Sequence, residues 1–174
     1  MIVVGAEGEV EDVDTFIEKI KRLSEEKGIE IQVVDADLIC GKDHLLSAYQ
    51  HAVRAFEEKR NSMKRISMEI LLYLSGERQI SDAIKKMGVK KDSQKLVFIF
   101  LDSKDHDELK GKISEDEARK IVEEMGMEIK EDVMEPSREK LRMLGFSEEE
   151  IDTVDKDKYE DLVLEKVAMV DIIK

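Results

Sequence analysis

The chain is 174 residues long, 41% charged and 41% apolar, with a formal net charge of −13. That length suits one domain with its own core, the acidity excludes non-specific coating of nucleic acid, and a single cysteine excludes an internal disulfide. No apolar run reaches the ~18 residues of a membrane span, and the expectation is a cytoplasmic protein, because a start running directly into Ile2, Val3 and Val4 lacks the charged lead of a signal peptide.

Surplus Lys and Glu beside one Asn, four Gln and no Trp form a thermophile-like pattern. Residues 2–6 predict a first strand before Gly8. Asp12 or Asp14 can cap a helix to Lys27 that places Phe16, Ile17, Ile20 and Leu23 on one face. Gly28 stands where helix C-termini favour glycine. Ile29, Ile31 and Val33 alternate with Glu30 and Gln32, the period of a half-buried strand.

The longest amphipathic pattern, 43–60, predicts a helix capped by Asp43 with Leu46, Tyr49, Val53 and Phe56 facing the core. A polar turn at Asn61 and Ser62 leads to a second helical run over 64–74, with Ile66, Ile70, Tyr73 and Leu74 inward. Ser75, Gly76, Glu77 and Arg78 break it, and a third run covers 79–87. Residues 42–95 hold 12 Lys/Arg against 7 Asp/Glu, a net of +5, so the remainder carries −18.

Within this basic island Lys59, Arg60, Asn61, Ser62, Lys64 and Arg65 fall across one turn. Arg78 and Gln79 open the next helix, where backbone N–H groups can receive a phosphate. Arg and Lys attract phosphate, while Asn, Gln and Ser can bond base edges. Together these suit a few nucleotides of single-stranded RNA, without aromatic stacking, since Phe56 and Tyr73 read as core. The alternative is a solvated helix-turn-helix corner.

Residues 96–101, Leu-Val-Phe-Ile-Phe-Leu, fit a central strand better than a helix. Ser114 with Glu117 predicts a capping box for a helix through Glu124, stopped at Gly126, and 127–130 is a weak last strand. Pro136 stands at a first helical position of a helix to Leu144, before Gly145. Ser147 caps a short helix and Asp157 the last one. That last helix carries Leu162, Val163, Val167 and Val170 on one stripe, widened by Leu164, Met169, Ile172 and Ile173. A helix apolar most of the way round is buried on two sides. The order is β-α-β-α-α-α-β-α-β-α-α-α. The expected fold is α/β (α+β-like), a single compact domain over 1–174 with a small four-stranded mixed or antiparallel central sheet and about eight helices.

Little here points to catalysis. Cys40 and His44 can be drawn as nucleophile and base, but Cys40 ends an apolar run and nothing completes a triad. His44 and His51 share a helix face roughly 10 Å apart along the axis, too far for one ion. No phosphate-cradling glycine loop is present. The reading is a non-enzymatic chain without metal or cofactor.

Several stretches carry a resemblance. They are Ala36-Asp37-Leu38-Ile39-Cys40-Gly41, His44-Leu45-Leu46-Ser47-Ala48-Tyr49, His51-Ala52-Val53-Arg54-Ala55-Phe56 and Met68-Glu69-Ile70-Leu71-Leu72-Tyr73-Leu74-Ser75-Gly76-Glu77-Arg78-Gln79-Ile80. The chain resembles the kinase-binding subunit of the KEOPS complex, the PRPK-binding protein family, most densely over about 36–102. The resemblance implies a non-catalytic accessory subunit that grips the 3′ CCA end of tRNA. It also implies binding to a small PRPK-type kinase/ATPase, in support of N6-threonylcarbamoylation of the adenosine beside the anticodon. Carried onto this sequence, RNA binding falls on Lys59, Arg60, Asn61, Ser62, Lys64, Arg65, Arg78 and Gln79, and kinase docking on Val170, Ile172 and Ile173. Two other readings stay open: a protein-interaction module without RNA contact, and a Cys40-dependent enzyme.

Overall fold

A computed structural model describes residues 1–174. Its elements run β1 (Ile2–Glu7), α1 (Val13–Lys27), β2 (Glu30–Asp35), α2 (Lys42–Glu57), α3 (Ile66–Ser75), α4 (Ile80–Met87), β3 (Lys95–Leu101), α5 (Glu115–Glu124), β4 (Glu128–Ile129), α6 (Arg138–Met143), α7 (Glu148–Ile151) and α8 (Tyr159–Ile173). This is the order expected from the sequence. The residues gather into two compact units, one of Met1–Ala36 with Gly88–Val133, the other of Asp37–Met87 with Met134–Lys174.

The first unit is built on an antiparallel sheet of order β2-β3-β1-β4. Phe98 of β3 stands opposite Val4 of β1 and Val33 of β2. Successive strand residues face opposite ways, so Leu96, Phe98 and Phe100 share a face with Val4, Ala6, Ile31 and Val33. Onto that face α1 brings Phe16 and Ile20, and α5 brings Ala118, Ile121 and Val122. Phe16 meets Phe98 edge-on, ring centroids 6.2 Å apart. Val97, Ile99 and Leu101, on the other face of β3, are buried as well. That two-sided burial is why the strand reads as an unbroken apolar run.

Asp12 caps α1 by accepting the Thr15 N–H at 3.0 Å. Ile17 is 51% exposed and lies outside the face assigned to it, and Ser24 closes the buried row with Phe16 and Ile20. Ser114 caps α5; the reciprocal capping box is formed instead by Ser147 and Glu150 at α7.

The second unit is helical. Nine of the ten residues of α3 are buried, and α2, α4 and α8 pack against it. The buried face of α2 is His44, Leu45, Ala48, Ala52 and Ala55, not the expected stripe. Leu46 is 45% exposed, and Tyr49, Val53 and Phe56 are half-buried. The alanines let the helices approach closely, and a reading weighted by large side chains misses a face made of small ones. Gly41, not Asp43, is the N-cap of α2; Asp43 instead donates its N–H to Glu160 of α8 at 3.3 Å. Ser137 caps α6, leaving Pro136 outside the helix, and α8 begins at Tyr159 beyond a short 3-10 turn that contains Asp157. No helix is long and apolar enough to cross a membrane.

Candidate nucleic-acid interface

The corner between α2 and α3 is closed by backbone chemistry. The Arg60 N–H donates to Ala55 O at 2.7 Å and the Lys59 N–H to Phe56 O at 3.1 Å. This 6→1, 5→2 pair needs a left-handed residue between helix and loop, usually glycine. Here it is Lys59, at φ 57, the one non-glycine of the chain with positive φ. Such a conformation costs an ordinary residue ~1 kcal/mol or more.

Lys59, Arg60, Lys64 and Arg65 are all exposed. Arg60 is tied at 2.6 Å to Glu58, whose hydrogen bond raises the guanidinium's pKa, and its Nη1 lies 3.7 Å from Asp171. Asn61 commits its side-chain N–H to Met63 O at 2.8 Å, which shapes the turn. The backbone N–H groups of Ser62 and Met63 point inward, to Glu69 Oε2 at 3.0 and 2.8 Å.

Beneath the corner lies a polar network that pattern reading missed. Glu69 is fully buried, and its second oxygen pairs with Lys174 at the end of α8. Lys174 also donates to Arg60 O at 3.1 Å and stands 5.0 Å over the ring of Tyr73. Asp171, one turn earlier, accepts from Tyr73 Oη and, at 2.7 Å, from His51 Nδ1. Burial alone would raise the Asp171 pKa; the hydrogen bonds from Tyr73 and His51 and the charge of Arg60 outweigh it and hold the carboxyl below its usual value. Burial and the Asp171 carboxylate push the Tyr73 phenol up. The one sequence signal for all this is a lone carboxylate, Glu69, inside an otherwise apolar helix.

Arg78 and Gln79 are exposed but do not join this corner. They follow the last turn of α3, while residues 59–65 precede its first, and ten helical residues span about 15 Å. The basic island of the sequence is therefore two patches.

The three C-terminal residues assigned to docking also divide. Val170 is fully buried in this chain's own core, because it shares the inward stripe of Leu162, Val163 and Val167. Ile172 is 74% and Ile173 41% exposed. Met169, at 50%, extends their apolar surface.

Cys40 and His44 do not form a nucleophile and base. The Cys40 N–H donates to His44 Nδ1 at 3.1 Å, and His44 Nε2 donates to Leu74 O at 2.9 Å, so both ring nitrogens serve the backbone. Burial lowers the His44 pKa to about 4 and raises that of the Cys40 thiol. His44 is a neutral latch between the start of α2 and the end of α3. No cluster of three metal-ligating side chains is present.

Residues 8–171 match the family described as kinase binding protein CGI-121. A curated relative, the regulatory protein Cgi121 of Methanocaldococcus jannaschii, is 32% identical over 156 residues, 84% of this chain and 87% of that protein. The KEOPS complex subunit Cgi121 of Pyrococcus abyssi is 35% identical over 86 residues, 47% of this chain and 50% of its own. The EKC/KEOPS complex subunit CGI121 of Coccidioides immitis is 29% identical over 70 residues, 40% and 34% of the two chains.

Proposed function

Because this chain belongs to the CGI-121 family of kinase-binding proteins, we propose that it is a non-catalytic accessory subunit of a KEOPS complex. In this reading it works in the cytoplasm and binds two partners, the 3′ CCA end of tRNA and the PRPK-type kinase/ATPase. It thereby supports N6-threonylcarbamoylation of the adenosine beside the anticodon. The tRNA end meets the α2–α3 corner, where Lys59, Arg60, Lys64 and Arg65 face phosphates and Asn61 and Ser62 face base edges. Arg78 and Gln79 form a second, separate contact. Ile172 and Ile173 dock the kinase, with Val170 holding the helix stem in its own core.

The observation that carries the RNA reading is Lys59. A glycine would close α2 without strain, yet a lysine is held left-handed there with its ammonium exposed. Strained backbone that persists marks functional positions. The small size of the patch supports a single-stranded end over a duplex, which offers phosphates over a longer track.

The test is a binding titration with intact tRNA and with the same tRNA lacking its terminal CCA. Trimming is expected to cost far more affinity than changes in the tRNA body. Equal binding of the two would make the corner a general electrostatic patch, and no binding of either would leave a protein-interaction module.

A further inference from the structure

We propose that Glu69 and Lys174 are a positioning pair for the RNA-binding corner: they touch no nucleotide and fix the backbone that carries Lys59, Arg60 and Lys64. The inference rests on the reading of that corner as an RNA site. Its geometry is unusually complete. One carboxylate oxygen of Glu69 takes two consecutive N–H groups, Ser62 and Met63, at 3.0 and 2.8 Å. The other oxygen pairs with Lys174, whose ammonium also holds Arg60 O at 3.1 Å. With the helix closure on Ala55 O, these anchors bracket residues 59–64 from below.

An apolar side chain at position 69 would fill the core of α3 as well, and a buried ion pair is a weak source of net stability. What the pair supplies is geometry. Without the carboxylate, two part-buried N–H groups lose their acceptor, and turning them to water opens the loop. Cations placed in advance spare the ordering cost that a mobile loop meets on binding. Asp171 adds a second hold by lying 3.7 Å from Arg60 Nη1 while accepting from Tyr73 and His51. The last turn of α8 therefore presents Ile172 and Ile173 outward and secures the corner with Asp171 and Lys174.

The test compares Glu69→Leu, Lys174→Met and the double variant with the unaltered chain. It reads hydrogen exchange at the Ser62 and Met63 amides and affinity for CCA-ended tRNA over a salt series. The double variant removes both charges together, so no unpaired ion is left to unfold the unit. Glu69→Leu and the double variant are expected to lose protection at Ser62 and Met63 at least tenfold, with the β3 amides unchanged. Affinity for tRNA is expected to fall about tenfold with the slope of log K against log salt unchanged, because no phosphate contact is lost, whereas Lys59→Glu lowers that slope by about one. Retained protection in Glu69→Leu, or lost protection there with full tRNA affinity, overturns the proposal. A slope reduced by about one in Lys174→Met also overturns it, since Lys174 would then be a direct contact. If the unaltered chain does not bind tRNA while protection still depends on Glu69, the RNA reading fails and the pair is structural only.

Discussion

The α2–α3 and α6–α7 corners close with the same backbone device and treat charge in opposite ways. In α6 the Phe146 N–H returns to Leu141 O and the Gly145 N–H to Arg142 O, both at 3.0 Å, as Arg60 and Lys59 do in α2. The left-handed residue is Gly145, at φ 100, in one corner and Lys59 in the other. Around α6–α7 the carboxylates lie outside. Glu148 bonds Arg138 and Arg142, and Asp152 accepts from Arg138 at 2.7 Å. Those hydrogen bonds lower the Glu148 pKa to about 2 and raise the pKa of both arginines. Around α2–α3 the principal carboxylate, Glu69, is turned inward onto backbone N–H groups, and Lys59 and Lys64 face solvent. At α6–α7 exposed carboxylates neutralise the cations; at α2–α3, the corner proposed to meet RNA, Glu58 pairs with Arg60 while Glu69 is buried beneath the turn.

The largest expected contrast is in stability. Glu69→Ala strands the Lys174 ammonium, whose side chain is 4% exposed, and breaking such a buried pair costs on the order of 3 kcal/mol. For a chain of this length that lowers Tm by roughly 6–12 °C. Glu148→Ala, on an exposed group, is expected to leave Tm unchanged within error. Equal losses in the two melts would end the distinction between inward and outward acids.

Acid separates the α6–α7 pairs from the His44 latch, which ties the start of α2 to the end of α3. The His44 pKa lies at about 4 in the folded chain, below its unfolded value of about 6.5. Between those pH values the unfolded chain binds more protons, so the neutral latch stabilises fully above about pH 6.5 and its contribution is lost as pH falls toward 4. The window corresponds to about 3 kcal/mol, measurable as the difference between urea titrations at pH 7 and pH 4. In His44→Gln this part of the pH dependence is expected to vanish. The α6–α7 pairs outlast the latch on acidification, because Glu148 keeps its charge down to about pH 2. A Glu148 carboxyl resonance titrating near 4.5 would contradict that.

Charge reversal at Lys59, Arg60 and Lys64 is expected to weaken tRNA binding at least tenfold at low salt and to flatten its salt dependence by about one per lost phosphate contact. Arg138→Glu with Arg142→Glu is expected to leave tRNA binding unchanged. The backbone offers a smaller version of the same swap. Gly145→Lys places a side chain at φ 100, where only the tip of Lys166 comes near, at 3.5 Å, so the cost is backbone strain of about 1 kcal/mol. Lys59→Gly is expected to keep or slightly raise Tm while lowering tRNA affinity. A Tm loss there would remove the argument from strain. Smallest of all is the effect of Ile172→Glu with Ile173→Glu: Tm within about 2 °C of the unaltered chain and tRNA binding intact, but weaker association with the kinase. Unfolding of that variant would place both isoleucines in the core.

Much of the fold was legible because its signals are local. Every helix and strand follows the expected order, Asp12, Ser114 and Ser147 mark helix starts, and the run 96–101 forms the expected central strand. The basic island was equally plain as composition. Three features were not. The core face of α2 is alanine-rich, and the length of a side chain does not reveal which face another helix approaches. Arg78 and Gln79 are close to Arg65 in sequence, but a buried helix lies between and turns one island into two patches. Val170 and Ile172 differ by two residues and carry the same aliphatic character, yet a 100° step per residue puts one in the core and the other in solvent.

The sequence by itself determined the order of elements, the helix ends set by capping residues, and the presence of a cationic stretch in an acidic chain, since each follows from neighbours within a turn or two. Only the tertiary structure decided that Glu69 faces inward, that Lys174 lies 105 residues away as its partner, and that Asp171 links Tyr73, His51 and Arg60. Pairings between residues so far apart leave no periodic trace along the chain. They form because a buried charge requires a partner, and folding, not spacing, brings that partner near.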